Sequence, residues 1–198
     1  WSSDVCSSDL VPRATAWAGA TTPALLAGGP FGSSAYAVTA GGRIVGFRET
    51  LADATQNEAV SWGSAAALQP TAIGNASGGS VARAAAGNYT AGALDGGAFV
   101  HDGTALTMVG DPGSIAYGVR ADGVAVGQDA NGAAVVFNGI HTGELAGSGT
   151  AWAILDDQVV GSRDGTNGEQ HAFLATWGAG LIDLVDLFAG AAFDLNRS

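Results

Sequence analysis

The chain has 198 residues, 47% of them apolar, a length and composition that suit one domain with a real core. Its 18 acidic residues face 7 arginines and no lysine, and the net charge of −11 argues against a nucleic-acid partner. No run approaches the roughly 18 apolar residues of a membrane-spanning helix, and a lone cysteine, Cys6, excludes an internal disulfide framework or a Cys-ligated zinc.

The first ten residues, WSSDVCSSDL, resemble a common sequencing adapter translated in frame. Residues 1–10 are therefore set aside as a non-native scar, expected to be unpaired and poorly packed. Without Asp4 and Asp9 the balance becomes 16 acidic residues against 7 arginines, a charge of −9, and Cys6 goes too, so thiol chemistry is excluded. Residues 11–198 are expected to form a single, partial β-propeller domain.

Four stretches then align along the chain: SSAYAVTAGGRIVGF from Ser33, SVARAAAGNYTAGA from Ser80, SIAYGVRADGVAVGQ from Ser114 and TAWAILDDQVVGS from Thr150. Each has a small polar residue, an apolar run, a turn, a second apolar run and a glycine. The closing glycines, Gly46, Gly92, Gly127 and Gly161, are spaced by 46, 35 and 34 residues. A second pattern alternates with the first: RATAW to Trp17, NEAVSW to Trp62, GGAFVHDG to Gly103, GAAVVFNG to Gly139 and QHAFLATWG to Gly178.

Each beat reads as a hairpin. Ala35 to Val38 and Arg43 to Phe47 are β-prone and flank Ala40, Gly41 and Gly42; Gly87-Asn88, Asp122-Gly123 and Asp156-Asp157 are the equivalent turns. In the second beat Ala98 to His101 and Ala105 to Val109 flank Asp102-Gly103. No segment carries a sustained helical period, and Ala65 to Leu68 and Leu181 to Phe188 are ambiguous. Two hairpins per repeat predict an all-β, propeller-like array of four-stranded repeats, although the shorter spacings fall below the roughly 40 residues usual for a blade. A parallel β-helix, with shorter rungs and no need of paired hairpin turns, is the competing architecture. The chain is expected to enter at Val11 in mid-repeat, run through about four whole blades and end on AAFDLN as the first strand of another. Two half blades could close a five-bladed ring; the alternative is a truncated ring of six to eight.

The stretch AWAILDDQVVGSRDGTNGEQHAFLATWGAGLIDL, with His171-Ala172-Phe173 and the closing Asp183-Leu184, resembles the HAF-repeat family of extracellular bacterial repeat proteins. Other copies depart from the triplet, carrying Glu58-Ala59-Val60, Gly97-Ala98-Phe99 and Ala133-Ala134-Val135; the asparagine usual before the first turn is replaced by Thr39, Arg120 and Leu155. The resemblance implies a secreted or surface-displayed bacterial protein of propeller-like form, with no molecular function established for the family.

Candidate chemistry is sparse. His171, His101 and His141 lie in different repeats at different offsets, and each is expected to pack or bond locally rather than to share a metal. Asp129-Ala130-Asn131-Gly132 and Asp164-Gly165-Thr166-Asn167-Gly168 resemble partial calcium loops but lack the distal glutamate, so turn chemistry is the expectation. Asp156 and Asp157 should point apart, and Glu49, Glu58, Glu144 and Glu169 fall in inter-strand loops of separate repeats. Trp17, Trp62 and Trp177, with Phe137 near the equivalent place, recur in phase, as rings wedged between blades would; the competing reading is a carbohydrate platform.

No catalytic residue, cofactor-binding residue or metal ligand is assigned. The leading expectation is a non-catalytic extracellular or cell-surface protein for binding, adhesion or scaffolding, with an extracellular polysaccharide or a surface protein as its partner. The alternative is a secreted propeller-fold enzyme, a glycoside hydrolase or lyase, acting on polysaccharide.

Overall fold

The computed structural model describes residues 12–17, 23–26, 31–50, 56–64, 67–74, 79–139, 141–165 and 168–184. The adapter-like residues 1–10 and the terminal AAFDLN lie outside the described residues. Every described element is a strand. A two-stranded pair, β1 (Thr15–Trp17) and β2 (Pro23–Leu25), precedes four four-stranded sheets. The first sheet holds β3 (Ser33–Val38), β4 (Ile44–Glu49), β5 (Asn57–Ser64) and β6 (Ala67–Ala72). The second holds β7 (Ser80–Ala86), β8 (Tyr89–Leu94), β9 (Gly97–His101) and β10 (Leu106–Pro112). The third holds β11 (Ile115–Val119), β12 (Ala125–Gln128), β13 (Ala134–Asn138) and β14 (His141–Ala146). The fourth holds β15 (Gly149–Leu155), β16 (Gln158–Asp164), β17 (Gln170–Thr176) and β18 (Gly180–Asp183).

Within each sheet the strands follow chain order, and every described pairing is antiparallel. This pairing excludes a parallel β-helix. In the two ambiguous segments, residues 67–68 and 181–183 are strand.

The closing glycines mark one repeated event. In each first hairpin the leading strand carries a β-bulge: the register shifts between Ala35 and Ala37, Ala82 and Ala84, Ala116 and Gly118, and Ala151 and Ala153. The residue pushed out is Tyr36, Arg83, Tyr117 or Trp152. Opposite the alanine before each bulge lies Gly46, Gly92, Gly127 or Gly161. A Cβ there would overlap the carbonyl oxygen of Ser34, Val81, Ile115 or Thr150 respectively. None of these four glycines has positive φ; what they need is room for the bulged backbone.

Across the third strand the same glycines face Val60, Phe99, Val135 and Phe173, the last residue of each HAF-like triplet. Each of these side chains is buried and packs toward the preceding sheet. Phe99 joins Val45, Ala59 and Ile73 of the first sheet, and Phe173 joins Val126 and Val136 of the third. The middle alanine turns the other way: Ala59, Ala98 and Ala134 are buried against the following sheet. Alternation along the third strand thus gives each sheet two apolar faces and lets sheets stack in chain order. Each fully buried aromatic side chain contributes about 2 to 3 kcal/mol.

A buried serine repeats at these seams. Ser33, Ser80 and Ser114 accept hydrogen bonds from the amides of Ala14 (3.1 Å), Ala59 (2.8 Å) and Ala98 (2.9 Å), each an amide of the preceding sheet or pair. In the fourth sheet the register puts Gly149 at this position, and the next residue, Thr150, accepts the Gln128 side-chain amide at 3.2 Å. The leading strands also touch in sequence, β3 with β7, β7 with β11 and β11 with β15. The approach is close where a Cβ on Gly118 would stand 3.0 Å from Ala153 Cα, so small residues follow each bulge.

Gly92→Ala should therefore destabilise the chain by about 1 to 3 kcal/mol or more through overpacking. Gly41→Ala, with only Thr39 Oγ1 nearby at 3.9 Å, should change stability by less than about 0.5 kcal/mol. Urea unfolding followed by circular dichroism measures both; equal midpoints would overturn the role given to the glycine.

Candidate functional site

A bulge re-aims one side chain out of the ladder, and here it does so at the same place in four consecutive repeats. The four side chains meet. The guanidinium carbon of Arg83 lies 5.7 Å from the Tyr36 ring centroid and 5.2 Å from that of Tyr117. The Tyr117 ring in turn lies 4.7 Å from Trp152, tilted by 58°. Phe47 on β4 supports the far side of Tyr36 at 5.9 Å, and Trp152 donates its indole N–H to Ser162 Oγ at 3.2 Å. The result is a continuous row, Tyr36, Arg83, Tyr117 and Trp152, one residue from each leading strand.

The row is open at its ends: Tyr36 is 50% and Trp152 49% exposed, while Arg83 and Tyr117 are half-buried. Arg83 has ring contacts on both sides and no oxygen partner among the described residues, and its buried Nε makes no hydrogen bond. Arg43, Arg48 and Arg120 have oxygen partners. Arg43 donates to Thr90 Oγ1 (2.6 Å) and to the carbonyls of Gly87 (3.0 Å) and Tyr89 (2.9 Å), tying the first turn of one sheet to that of the next. Burial lowers its pKa. Arg120 similarly bridges Asp122 (2.7 Å) and Asp157 (2.8 Å); their hydrogen bonds, Asp122 first, raise its pKa, and Arg120 lowers that of Asp122. Arg48 pairs with Glu58 across β4 and β5.

The candidates read from the sequence fall elsewhere. His101 accepts the Gly103 amide on Nδ1 at 3.1 Å and borders an open cleft of about 440 Å³ of mixed lining, with Arg43, Ser61, Ile73, Asn88 and Thr104. Burial lowers its pKa, and Asp102 opposes that effect. His171 lies 3.7 Å from Glu169 in the fourth sheet, and the side chain of His141 is outside the described residues. Among the described residues no three His, Cys, Asp or Glu side chains gather as metal ligands would. Asp129 accepts the amides of Asn131 (2.9 Å) and Ala133 (2.8 Å), so its oxygens serve its own turn. In the second loop, residues 166–167 lie outside the described residues. Glu49 accepts the Gly32 amide at 2.8 Å, and Glu144 lines a groove of about 300 Å³ beside Trp177.

The tryptophan series divides. Trp62 and Phe137 occupy one register position, opposite Ile44 and Ala125, and both are buried at sheet-to-sheet seams. His101, opposite Thr90, takes that position in the second sheet. Trp177 stands two residues later than this phase and packs half-buried against the seam between the third and fourth sheets. Trp17 lies in β1, with its side chain outside the described residues.

The row has only a faint signal in the sequence. Ten or eleven residues before each closing glycine the copies read Ala35-Tyr36, Ala82-Arg83, Ala116-Tyr117 and Ala151-Trp152: one large residue after each repeated alanine.

No family model, curated protein or solved structure matches the chain. Among the described residues no helix is long and apolar enough to cross a membrane.

Asp102 supplies a pH test of the local turn chemistry. Its carboxylate accepts the amides of Ala105 and Thr104 and the Thr104 hydroxyl, all at 2.7 Å, and these bonds hold its pKa down at about 2. Because the folded value is depressed, the turn's stabilisation is complete above the ordinary carboxylate value of 3.8 and is lost as pH falls through about 2. An NMR titration of the Asp102 carboxyl carbon should show that midpoint; one near 4 would contradict the assignment.

Proposed function

We propose that this chain is part of a β-propeller of the HAF-repeat type that works outside the bacterial cell as a non-catalytic binding module. The observation carrying the binding reading is the row of Tyr36, Arg83, Tyr117 and Trp152, in which a repeated backbone distortion presents four large side chains together. A core-forming residue would face a neighbouring sheet; these turn out of the ladder, and two stay half-exposed. The propeller arrangement is supported by sheets that stack in chain order through both faces and by leading strands in mutual contact. The HAF-like triplet supports the extracellular assignment, through the resemblance alone.

Binding is preferred to hydrolysis because several candidate carboxylates are committed to local partners. Glu58 holds Arg48, Glu49 holds the Gly32 amide, Asp157 holds Arg120 and Asp129 holds its own turn. Groups so engaged are poorly disposed to act as an acid and base flanking a scissile bond.

Intrinsic fluorescence tests the reading, since Trp152 is half-exposed and Trp62 fully buried. Titrating the chain with soluble polysaccharides and peptides should give a saturable change in emission for at least one class, lost in Trp152→Phe. Reducing ends should stay constant over the incubation. No saturable change with any class would overturn the binding role, and release of reducing ends would replace it with catalysis.

A further inference from the structure

We propose that the row is a site for an acidic polysaccharide, with Arg83 taking the carboxylate of a uronic-acid residue; this rests on the binding reading above and names its ligand. The inference starts from the unpaired cation. The chain has 18 acidic residues and 7 arginines. In such an excess Arg48 and Arg120 each find carboxylates, whereas Arg83 meets none among the described residues. What holds Arg83 is aromatic: the rings of Tyr36 and Tyr117, on the two neighbouring leading strands.

Ring contacts of this kind, with the guanidinium carbon 5.7 and 5.2 Å from the two centroids, give none of its five N–H donors an oxygen acceptor. The covered Nε has no partner, which leaves the terminal nitrogens as the donors directed outward. A fork of this kind fits a planar oxyanion through two parallel hydrogen bonds, and the flanking rings limit how far it can swing. The charge favours an anion, and the geometry favours a carboxylate.

The rest of the row narrows the ligand further. Tyr36 and Trp152, half-exposed on opposite sides of Arg83, offer apolar ring surface beside the cation. Sugar rings have C–H faces that pack on aromatic surface, and their hydroxyls stay hydrated at the margin. A chain of uronic-acid residues combines those faces with one carboxylate per ring. An acidic peptide would match Arg83 but leave the outer rings without comparable flat partners.

The test is affinity electrophoresis of the whole chain in gels containing polygalacturonate, its methyl-esterified form or dextran. Polygalacturonate should retard the chain, and the other two should not. Free galacturonate added in excess should release it, showing that the sugar acid itself is recognised. Arg83→Gln should weaken retention by about tenfold or more, and Arg83→Lys by nearly as much, since a point charge lacks the fork. Arg120→Gln, in the turn beyond Tyr117 and bonded to Asp122 and Asp157 rather than to any member of the row, should leave retention unchanged. Circular dichroism checks that each variant folds; should Arg83→Gln fail to fold, the Lys variant carries the test.

Equal retention of wild-type and Arg83 variants would overturn the proposal, as would equal retention by the esterified polymer. Retention by poly-glutamate as strong as by polygalacturonate would overturn the saccharide assignment. In each of those cases binding persists, so the broader reading survives. Saturable fluorescence responses absent with every class of ligand would remove that reading as well.

Discussion

The architecture depends on one pairing, a bulged strand against a glycine. In every four-stranded sheet the leading strand carries an extra residue, and the carbonyl two residues before it occupies the space where a Cβ on the partner strand would stand. Only a residue without a side chain fits. The bulge increases local twist, while the glycine leaves a hollow over which the third strand lays a valine or phenylalanine. In the fourth sheet a Cβ on Gly161 would also collide with the Phe173 ring, so the aromatic fills the place the missing side chain vacates.

Packing between sheets follows from the third strand. Its triplet alternates a small forward residue with a larger backward one, and successive seams are built from the same two positions. Alanine as the forward member lets the next leading strand come close. A buried serine then takes up the alanine amide, a backbone donor that the close approach would otherwise strand. The frequent alanines, glycines and serines are therefore positional requirements of thin, closely stacked sheets. They leave little room for large side chains except at the seams and at the bulges.

Much of the fold was legible in the sequence for this reason. Gly46, Gly92, Gly127 and Gly161 are visible because only glycine survives there, and the turns at Gly87-Asn88 and Asp156-Asp157 are visible because few residues accept them. The row was not, because its members share a location and not a chemistry: tyrosine, arginine, tyrosine and tryptophan do not look like one position. Bulges leave no mark of their own in a single sequence, since they concern the count of residues between two partners. The tryptophans misled in the opposite direction. Trp62 and Trp177 look alike in the chain, yet Trp62 belongs to the seam series and Trp177 falls two residues out of it.

The bulge also separates two kinds of inheritance. Its backbone is specified by the glycine opposite and the alanine before it, while the identity of the displaced residue is left open by both. Exchanging that one residue alters the surface without asking the seams to repack. Repeats of this design thus present an alphabet of one letter each, and the string Tyr, Arg, Tyr, Trp is one spelling that an unchanged scaffold can revise.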